Sequence, residues 1–390
     1  MDMKADVAIV GGGLAGCLAA LRFSIAKPEL EVVLVESSDR LGGHHTWSFH
    51  ESDLSAESLE WIKPLADHSW TETSVAFPRL QREFKGAYHT LRSETLHDKV
   101  KSRIKTVLLN SKAKRLSESH VELENGDIIA SRCVLDARGV ASLNTASATG
   151  YQKFIGFDLL LEEPHGLKHP VIMDATCPQL DGFRFFYLLP FDEKRVLVEE
   201  TYYSDTPELN RERIARSIES YAERRGWKIA KREREEEGVL PIPMTSEYIT
   251  NSLGGEALPI GMRGGYFHAT TGYSFADAVR IAEFLSSLED VTTQAARDGL
   301  MKFRRSFISR QRFYRLLNRL LFQASEPSLR YTVMQHFYEL QQDVVERFYA
   351  GRTTWGDRLR ILSGRPPVPL ERALKSLSER SLQSRAGSAR

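Results

Sequence analysis

Two kinds of residue in this 390-residue sequence are spaced for chemistry: carboxyls ending an apolar run, and glycines opening a helical one. Val196-Leu-Val198 leads directly into Glu199-Glu200-Thr201. A carboxyl buried among apolar groups keeps its proton near neutral pH and can then act as an acid. Side chains alternate along a strand, so Glu199 and Glu200 face opposite sides and only one of them can enter a single pocket. On pattern alone a solvated strand end stays open as an alternative, because charged side chains usually face water.

Gly11-x-Gly13-x-x-Gly16 has the spacing of a dinucleotide-binding turn. Gly11 makes the tight turn, Gly13 lets backbone approach a pyrophosphate, and Gly16 allows close helix–strand packing. The pyrophosphate would meet the unpaired N–H groups of a helix N-terminus. Glu36, at the end of the next strand-like run, suits the adenosine ribose hydroxyls. Asp39-Arg40-Leu41-Gly42-Gly43 follows it. Arg40 could pair with phosphate while Gly42 and Gly43 let the loop pass close to the cofactor; a plain surface turn is the alternative. Val134-Leu-Asp136-Ala-Arg-Gly139 is a strand running into a small-residue turn, placing Asp136 as a further cofactor contact. Gly261 to Ser274, with Gly272, brings a glycine-rich loop to a helix start at Phe275, where a helix dipole can stabilise negative charge on a flavin ring. These features in this order point to FAD rather than NAD, and the sequence has no second GxGxxG. His44, His45 and His50 make a poor metal set, since neighbouring histidines in an extended loop point apart and no Cys or Asp completes them.

The elements that must position these residues follow from pattern. Val7–Val10, a helix over Cys17–Phe23 and Glu31–Val35 read as β-turn-α-β. Residues 51–150 mix polar helical stretches with short strands, and an Asn-Gly hairpin falls after Val121-Glu-Leu. Phe183–Pro190 and Arg195–Thr201 form a second hairpin. Residues 208–237 are charged and read as helical, and from Asp277 to about residue 350 the pattern is helical again. The expected division is 1–150 for the first part of an FAD-binding domain, 151–250 for a substrate-binding domain, 251–350 for a closing FAD-binding segment with a helical region, and 351–390 for a tail. Ser378–Arg390 is expected to be disordered.

Composition narrows the class. Apolar residues make up 42 % and charged residues 27 %, and 53 basic against 52 acidic side chains leave a net charge of +1. A general nucleic-acid binder would carry a basic excess. Three separated cysteines argue against a disulfide framework and for a reducing cytosol. No export signal and no membrane-spanning run is read, so any membrane contact is expected from the side. Residues 301–322 hold seven basic and no acidic residues, with Phe313, Leu316, Leu317, Leu320 and Leu321 on one helical face. That is the pattern of an interfacial anchor, or of a core-facing helix with a basic outer side.

Five segments together resemble the bacterial lycopene β-cyclases: Gly43-His-His-Thr-Trp-Ser-Phe-His50, Gln152-Lys-Phe-Ile-Gly156, Leu197-Val-Glu-Glu-Thr201, Gly238-Val-Leu-Pro-Ile-Pro243 and His268-Ala-Thr-Thr-Gly-Tyr-Ser274. The resemblance runs from about residue 5 to 345. Ala269 departs from it, since a proline commonly follows that histidine; the change affects loop stiffness. The resemblance implies an α/β protein with a Rossmann-type FAD-binding domain, a strand-rich substrate domain and a C-terminal helical region. It implies an isomerase that closes the ψ-ends of lycopene into β-ionone rings, giving β-carotene via γ-carotene, without net redox change. FAD would be active when reduced, with NADPH as reductant. It favours Glu199 over Glu200 as the catalytic carboxyl. Lycopene and other carotenoids, and a membrane surface touched peripherally, are the implied partners. Trp47 and Phe49 then either line a polyene channel or pack the core. A redox flavoenzyme on the same scaffold, such as a monooxygenase or prenyl reductase, and a carotenoid carrier are the competing readings.

Overall fold

The computed structural model describes residues 2–140, 148–247, 256–363 and 368–379; most of the stretch expected to be disordered lies outside them. Its strands are β1 (Asp2–Val10), β2 (Val32–Val35), β3 (Thr46–His50), β4 (His68–Phe77), β5 (Leu80–Arg92), β6 (Thr106–Leu108), β7 (Ala113–Leu116), β8 (His120–Leu123), β9 (Ile128–Asp136), β10 (Thr149–Leu161), β11 (Val171–Asp174), β12 (Phe183–Pro190), β13 (Arg195–Ser204), β14 (Ile229–Pro243) and β15 (Leu258–Pro259). Its helices are α1 (Leu14–Ala26), α2 (Ala56–Ile62), α3 (Ser93–Arg103), α4 (Arg211–Arg224), α5 (Phe275–Ser287), α6 (Thr293–Arg319), α7 (Arg330–Tyr338), α8 (Gln342–Tyr349), α9 (Trp355–Leu362) and α10 (Leu370–Lys375).

Two sheets organise the chain. The first has the order β6-β2-β1-β9-β8-β7, with β15 also pairing on β9. Its centre is parallel, as βαβ crossovers require, and its apolar strands are buried on both faces. Leu18 and Leu21 of α1 and Val279, Ala282 and Leu285 of α5 share a core with Val7 and Ile9 of β1. The expected β-turn-α-β unit and the hairpin between β8 and β9 are both present.

The second sheet has the order β14-β10-β13-β12-β11-β4-β5-β3. Strand alternation gives it two cores. Val196, Val198 and Phe186 pack against Ile214, Ile218 and Tyr221 of α4. Leu197, Phe183, Phe185 and Tyr203 pack on the other face with Phe313, Tyr314, Phe337 and Tyr338 from the C-terminal helices. Three of its strands come from residues 46–92, so the chain leaves the first sheet after β2 and returns at β6.

The charged stretch 208–237 is not one helix. It ends as α4 at Arg224 and resumes as β14, an edge strand. Arg, Lys and Glu favour helices locally, but an edge strand tolerates and even needs such charges on its solvent side.

Candidate functional site

A cavity of about 630 Å³ lies between the two sheets, walled by Gly11–Ala15 and Glu36 from one and by Glu199, Tyr187 and Leu240 from the other. The glycine turn at its floor behaves as the spacing predicts. Gly11 has φ +108°, and a Cβ there would lie 2.5 Å from the Ala137 backbone. A Cβ on Gly16 would lie 2.0 Å from the Gly11 carbonyl oxygen, which is the close helix–strand contact. A Cβ on Gly13 would meet no atom within 4 Å, and Gly13 lines the cavity, so the backbone there is bared toward a ligand.

Glu36 stands beside this turn, its Oε2 accepting from the Gly12 N–H at 2.7 Å and its Oε1 from the Ser38 N–H at 2.8 Å. Burial opposes its charge, but these backbone donors hold the carboxyl below its ordinary range. Gly42 and Gly43 take positive φ and line the cavity, and the Gly42 N–H donates to the Gly12 carbonyl at 2.7 Å, joining the two glycine loops. Arg40 is not among the lining residues; its guanidinium lies 3.9 Å from Glu94. Asp136 likewise turns from the cavity, braced by Arg138 at 2.8 Å and Arg263 at 3.2 Å, while Arg138 itself lines the wall.

The late loop arrives from the other side. Gly272 (φ +70°), Ser274, Phe275 and Ala278 line the cavity, so the N-terminus of α5 faces it. Ser274 makes no side-chain cap, leaving the first-turn N–H groups of α5 for an anion. His268 shapes this loop: it is buried, its Nε2 donates to the Phe348 carbonyl at 2.9 Å, and its Nδ1 accepts from the Thr270 and Thr271 N–H groups. Burial pushes its pKa down to about 4, so it is neutral. Gln152 adds to the cavity wall a buried Oε1 with no hydrogen-bond partner among the described residues. An open glycine cradle, an uncapped helix start and an orphaned acceptor are what a dinucleotide cofactor with polar ring atoms would complete.

Glu199 and Glu200 separate as strand alternation requires. Glu199 lines the cavity, and its Oε1 accepts from the Thr201 hydroxyl at 2.5 Å. Enclosure by protein pushes its carboxyl up to about 7. Glu200 lies on the α4 face, fully buried, ion-paired with Arg184 and accepting from the Tyr202 hydroxyl at 2.6 Å. Neither is a solvated strand end.

The tryptophan and phenylalanine of β3 divide the roles left open for them. Trp47 lines the cavity, whereas Phe49 is buried and stacks on Phe275 at 4.3 Å. Tyr187 donates to Ser48 Oγ at 2.8 Å and shares a hydrogen bond with Tyr88 at 2.9 Å, which fixes its ring on the wall. Among the described residues no three His, Cys, Asp or Glu side chains come together as a metal site needs.

Sequence reasoning missed Glu236 and Arg234, because it placed them in a helix. Both lie on β14 and are turned inward, whereas Glu235 and Glu237 pair outward with Arg232 and Arg211. The available signal was the neighbouring Gly238–Pro243 segment, whose extended, proline-bearing pattern had only to be carried back through the charges.

The basic helix also differs from the interfacial reading. Arg315 and Arg319 of α6 are 2 % and 3 % exposed, ion-paired with Glu379, and Arg319 donates to the carbonyls of Met244 and Ser376. Their charges tie the C-terminal segment to the end of β14. Among the described residues no helix is long and apolar enough to cross a membrane.

Residues 6–375 match the family described as lycopene cyclase protein. A lycopene beta-cyclase of Pantoea ananas is 39 % identical over 378 residues, covering 97 % of this chain and 99 % of its own. In fold, a geranylgeranyl bacteriochlorophyll reductase-like protein of Thermoplasma acidophilum aligns over 100 % of this chain and 99 % of its own, with a TM-score of 0.60 at 13 % identity. A flavoprotein/dehydrogenase of Cytophaga hutchinsonii aligns over 99 % and 98 %, with a TM-score of 0.53 at 15 % identity.

Proposed function

The chain belongs to the lycopene cyclase family, and from that premise we propose that it closes the ψ-ends of lycopene into β-ionone rings, giving β-carotene via γ-carotene. One observation carries the assignment of the acid: Glu199 stands on the wall of the cavity whose floor is the Gly11–Gly16 turn, where burial pushes its carboxyl up to about 7. Gly11, Gly13, Gly16, Glu36, Gly42, Gly43 and Gly272 would hold FAD, with Asp136 acting through Arg138 and Arg40 at the margin beside Glu94. Reduced FAD bound there, with NADPH as the reductant, would supply negative charge beside a developing cation.

The chain's own residues do the rest. Glu199 gives its proton to the inner carbon of the terminal dimethyl-bearing double bond: its O–H bond breaks, a C–H bond forms, and a tertiary cation results on the dimethyl carbon. The electron pair of the next double bond closes the ring. A ring proton then returns to the Glu199 carboxylate, so the product is an isomer and no electron is gained or lost. The rings of Phe185, Tyr187, Tyr203 and Tyr273 line the cavity and offer π faces to the cation. They also keep out water that would trap it.

Lycopene is a hydrocarbon dissolved in bilayers, so peripheral membrane contact belongs to the same proposal. Residues 301–322 do not supply it, given the buried Arg315 and Arg319. Trp355, Leu359 and Leu362 of α9 are exposed apolar side chains suited to it, as are Leu370 and Leu374 of α10.

The test is anaerobic turnover of lycopene in liposomes with chemically reduced FAD. We expect γ-carotene followed by β-carotene, with no stoichiometric NADPH consumption. Unchanged lycopene, or a product formed only when NADPH is added and consumed stoichiometrically, would overturn the proposal in favour of a carrier or a redox enzyme.

A further inference from the structure

Three adjacent strands bring two carboxyls to one spot. Glu199 on β13 and Glu236 on β14 are both in register with Gly156 of β10 between them. Residues in register point to the same face, and two strand spacings set their backbones roughly 10 Å apart. Gly156 leaves that gap open: a Cβ there would lie 3.2 Å from Glu199 Cβ and 3.2 Å from Glu236 Cγ. The glycine is therefore a matter of space, and the two side chains share the room it vacates with Leu197, whose Cδ1 would lie 3.1 Å from such a Cβ.

The charges nearby do not balance. Arg234 is the mostly buried cation that reaches both carboxyls, its Nε donating to Asp158 at 3.0 Å and its Nη2 to Glu236 at 3.2 Å. It also bonds Thr46 Oγ1, reaches the His44 carbonyl, and lies 3.5 Å from Glu94 at the cluster's edge. Arg92 adds a more distant positive charge near Asp158, and the Thr46 hydroxyl bonds Glu236. Glu236 and Asp158 thus share one guanidinium, and Glu199 is the further carboxyl whose charge Glu236 feels. Glu199 accepts from the Thr201 hydroxyl and has no salt bridge among the described residues.

Resting on the cyclase reading, we infer that Glu199 and Glu236 form a carboxyl pair across Gly156 holding one proton, with Arg234 and Thr46 drawing the negative charge to Glu236 and leaving the proton on Glu199. Burial and the neighbouring Glu199 charge both disfavour ionising the two carboxyls together. The raised titration of both groups, from burial first and mutual repulsion second for Glu236, agrees with this arrangement. Glu236 is a positioning residue: it lies behind the cavity wall and acts through Glu199.

Glu236→Gln decides where the charge resides. A glutamine mimics a protonated glutamate, so it changes the Glu199 titration only if Glu236 is ionised in the parent. We expect the pH profile of cyclisation to move down by about one unit or more. The rate at pH 8 should fall on the order of tenfold while the acid-side plateau and FAD affinity are kept. An unmoved profile in a folded Glu236→Gln protein would overturn the pair.

Infrared titration of protein labelled with ¹³C-glutamate reads the same question without turnover and without that variant. A protonated glutamate band at neutral pH should be present in the parent and absent in Glu199→Gln. Its persistence in Glu199→Gln would place the proton elsewhere and refute the inference. A parent that binds FAD but leaves lycopene unchanged would defeat the cyclase reading alone, since the infrared result would still stand or fall by itself.

Discussion

Glu199 and Glu200 are adjacent in sequence and opposite in consequence. Glu199→Gln should keep the fold and FAD binding, because the side chains match in size, and should lower the cyclisation rate by about 10²–10⁴-fold. Glu200→Gln strands the buried Arg184 guanidinium, so it should cost up to about 3–5 kcal/mol of stability while the folded fraction still turns over lycopene. Thermal unfolding and turnover measured side by side separate the two; a dead, stable Glu200→Gln would reverse the assignment. The Glu199 proton also sets a pH dependence. Burial pushes its carboxyl up to about 7 in the folded protein, above the ordinary glutamate range. The acid form, and with it the rate, should fall as pH rises through about 7. The folded state binds this proton more tightly than the unfolded chain does. Its contribution to stability is therefore fully present below the unfolded value and is lost as pH rises toward 7. Denaturant midpoints of the parent should show this decline across that window, and those of Glu199→Gln should lack it.

At the scale of elements, the β1–α1 turn gives the cleanest handle on the cofactor. Gly13→Val adds a side chain into open cavity, so the protein should fold normally and lose FAD, as read by flavin fluorescence. Gly16→Ala would instead press on the Gly11 carbonyl and should lower the melting temperature, so it cannot serve as the test. Unchanged FAD affinity in folded Gly13→Val would remove the cofactor from this turn. This unit was readable from the sequence because its determinants are local: an apolar strand, a glycine turn and an apolar helix within a few residues. The same holds for the β12–β13 hairpin, where alternation alone placed Glu199 and Glu200 on opposite faces. What stayed hidden was fixed by distant partners. Whether Trp47 or Phe49 reached the cavity depended on Phe275, and whether Arg315 faced lipid depended on Glu379. The inward turn of Glu236 in a run of three glutamates depended on β10, more than seventy residues earlier in the chain.

Over the whole molecule, the basic helix α6 turns Arg315 and Arg319 inward, and exposed apolar side chains recur along residues 355–377. Trp355 is 79 % exposed and Leu359 70 % exposed on one side of α9. Replacing both with serine should lower partitioning onto anionic liposomes by about tenfold or more, since burying one such side chain contributes about 1.5–3 kcal/mol. Arg315→Glu with Arg319→Glu should lower the melting temperature instead. Equal binding of the serine double variant and the parent would take α9 out of the membrane contact. The interleaving of the two sheets has a consequence for synthesis. A ribosome delivers β3, β4 and β5 early, yet β11, the strand beside β4 in the finished sheet, emerges only at Val171–Asp174. The first sheet waits longer, until Leu258 and Pro259 pair with β9. For much of translation the nascent chain thus carries two unfinished sheets with open edges, the condition in which strands pair wrongly. Neither half can be completed and set aside while the other is made, so recombining it with a relative at a single crossover would break both.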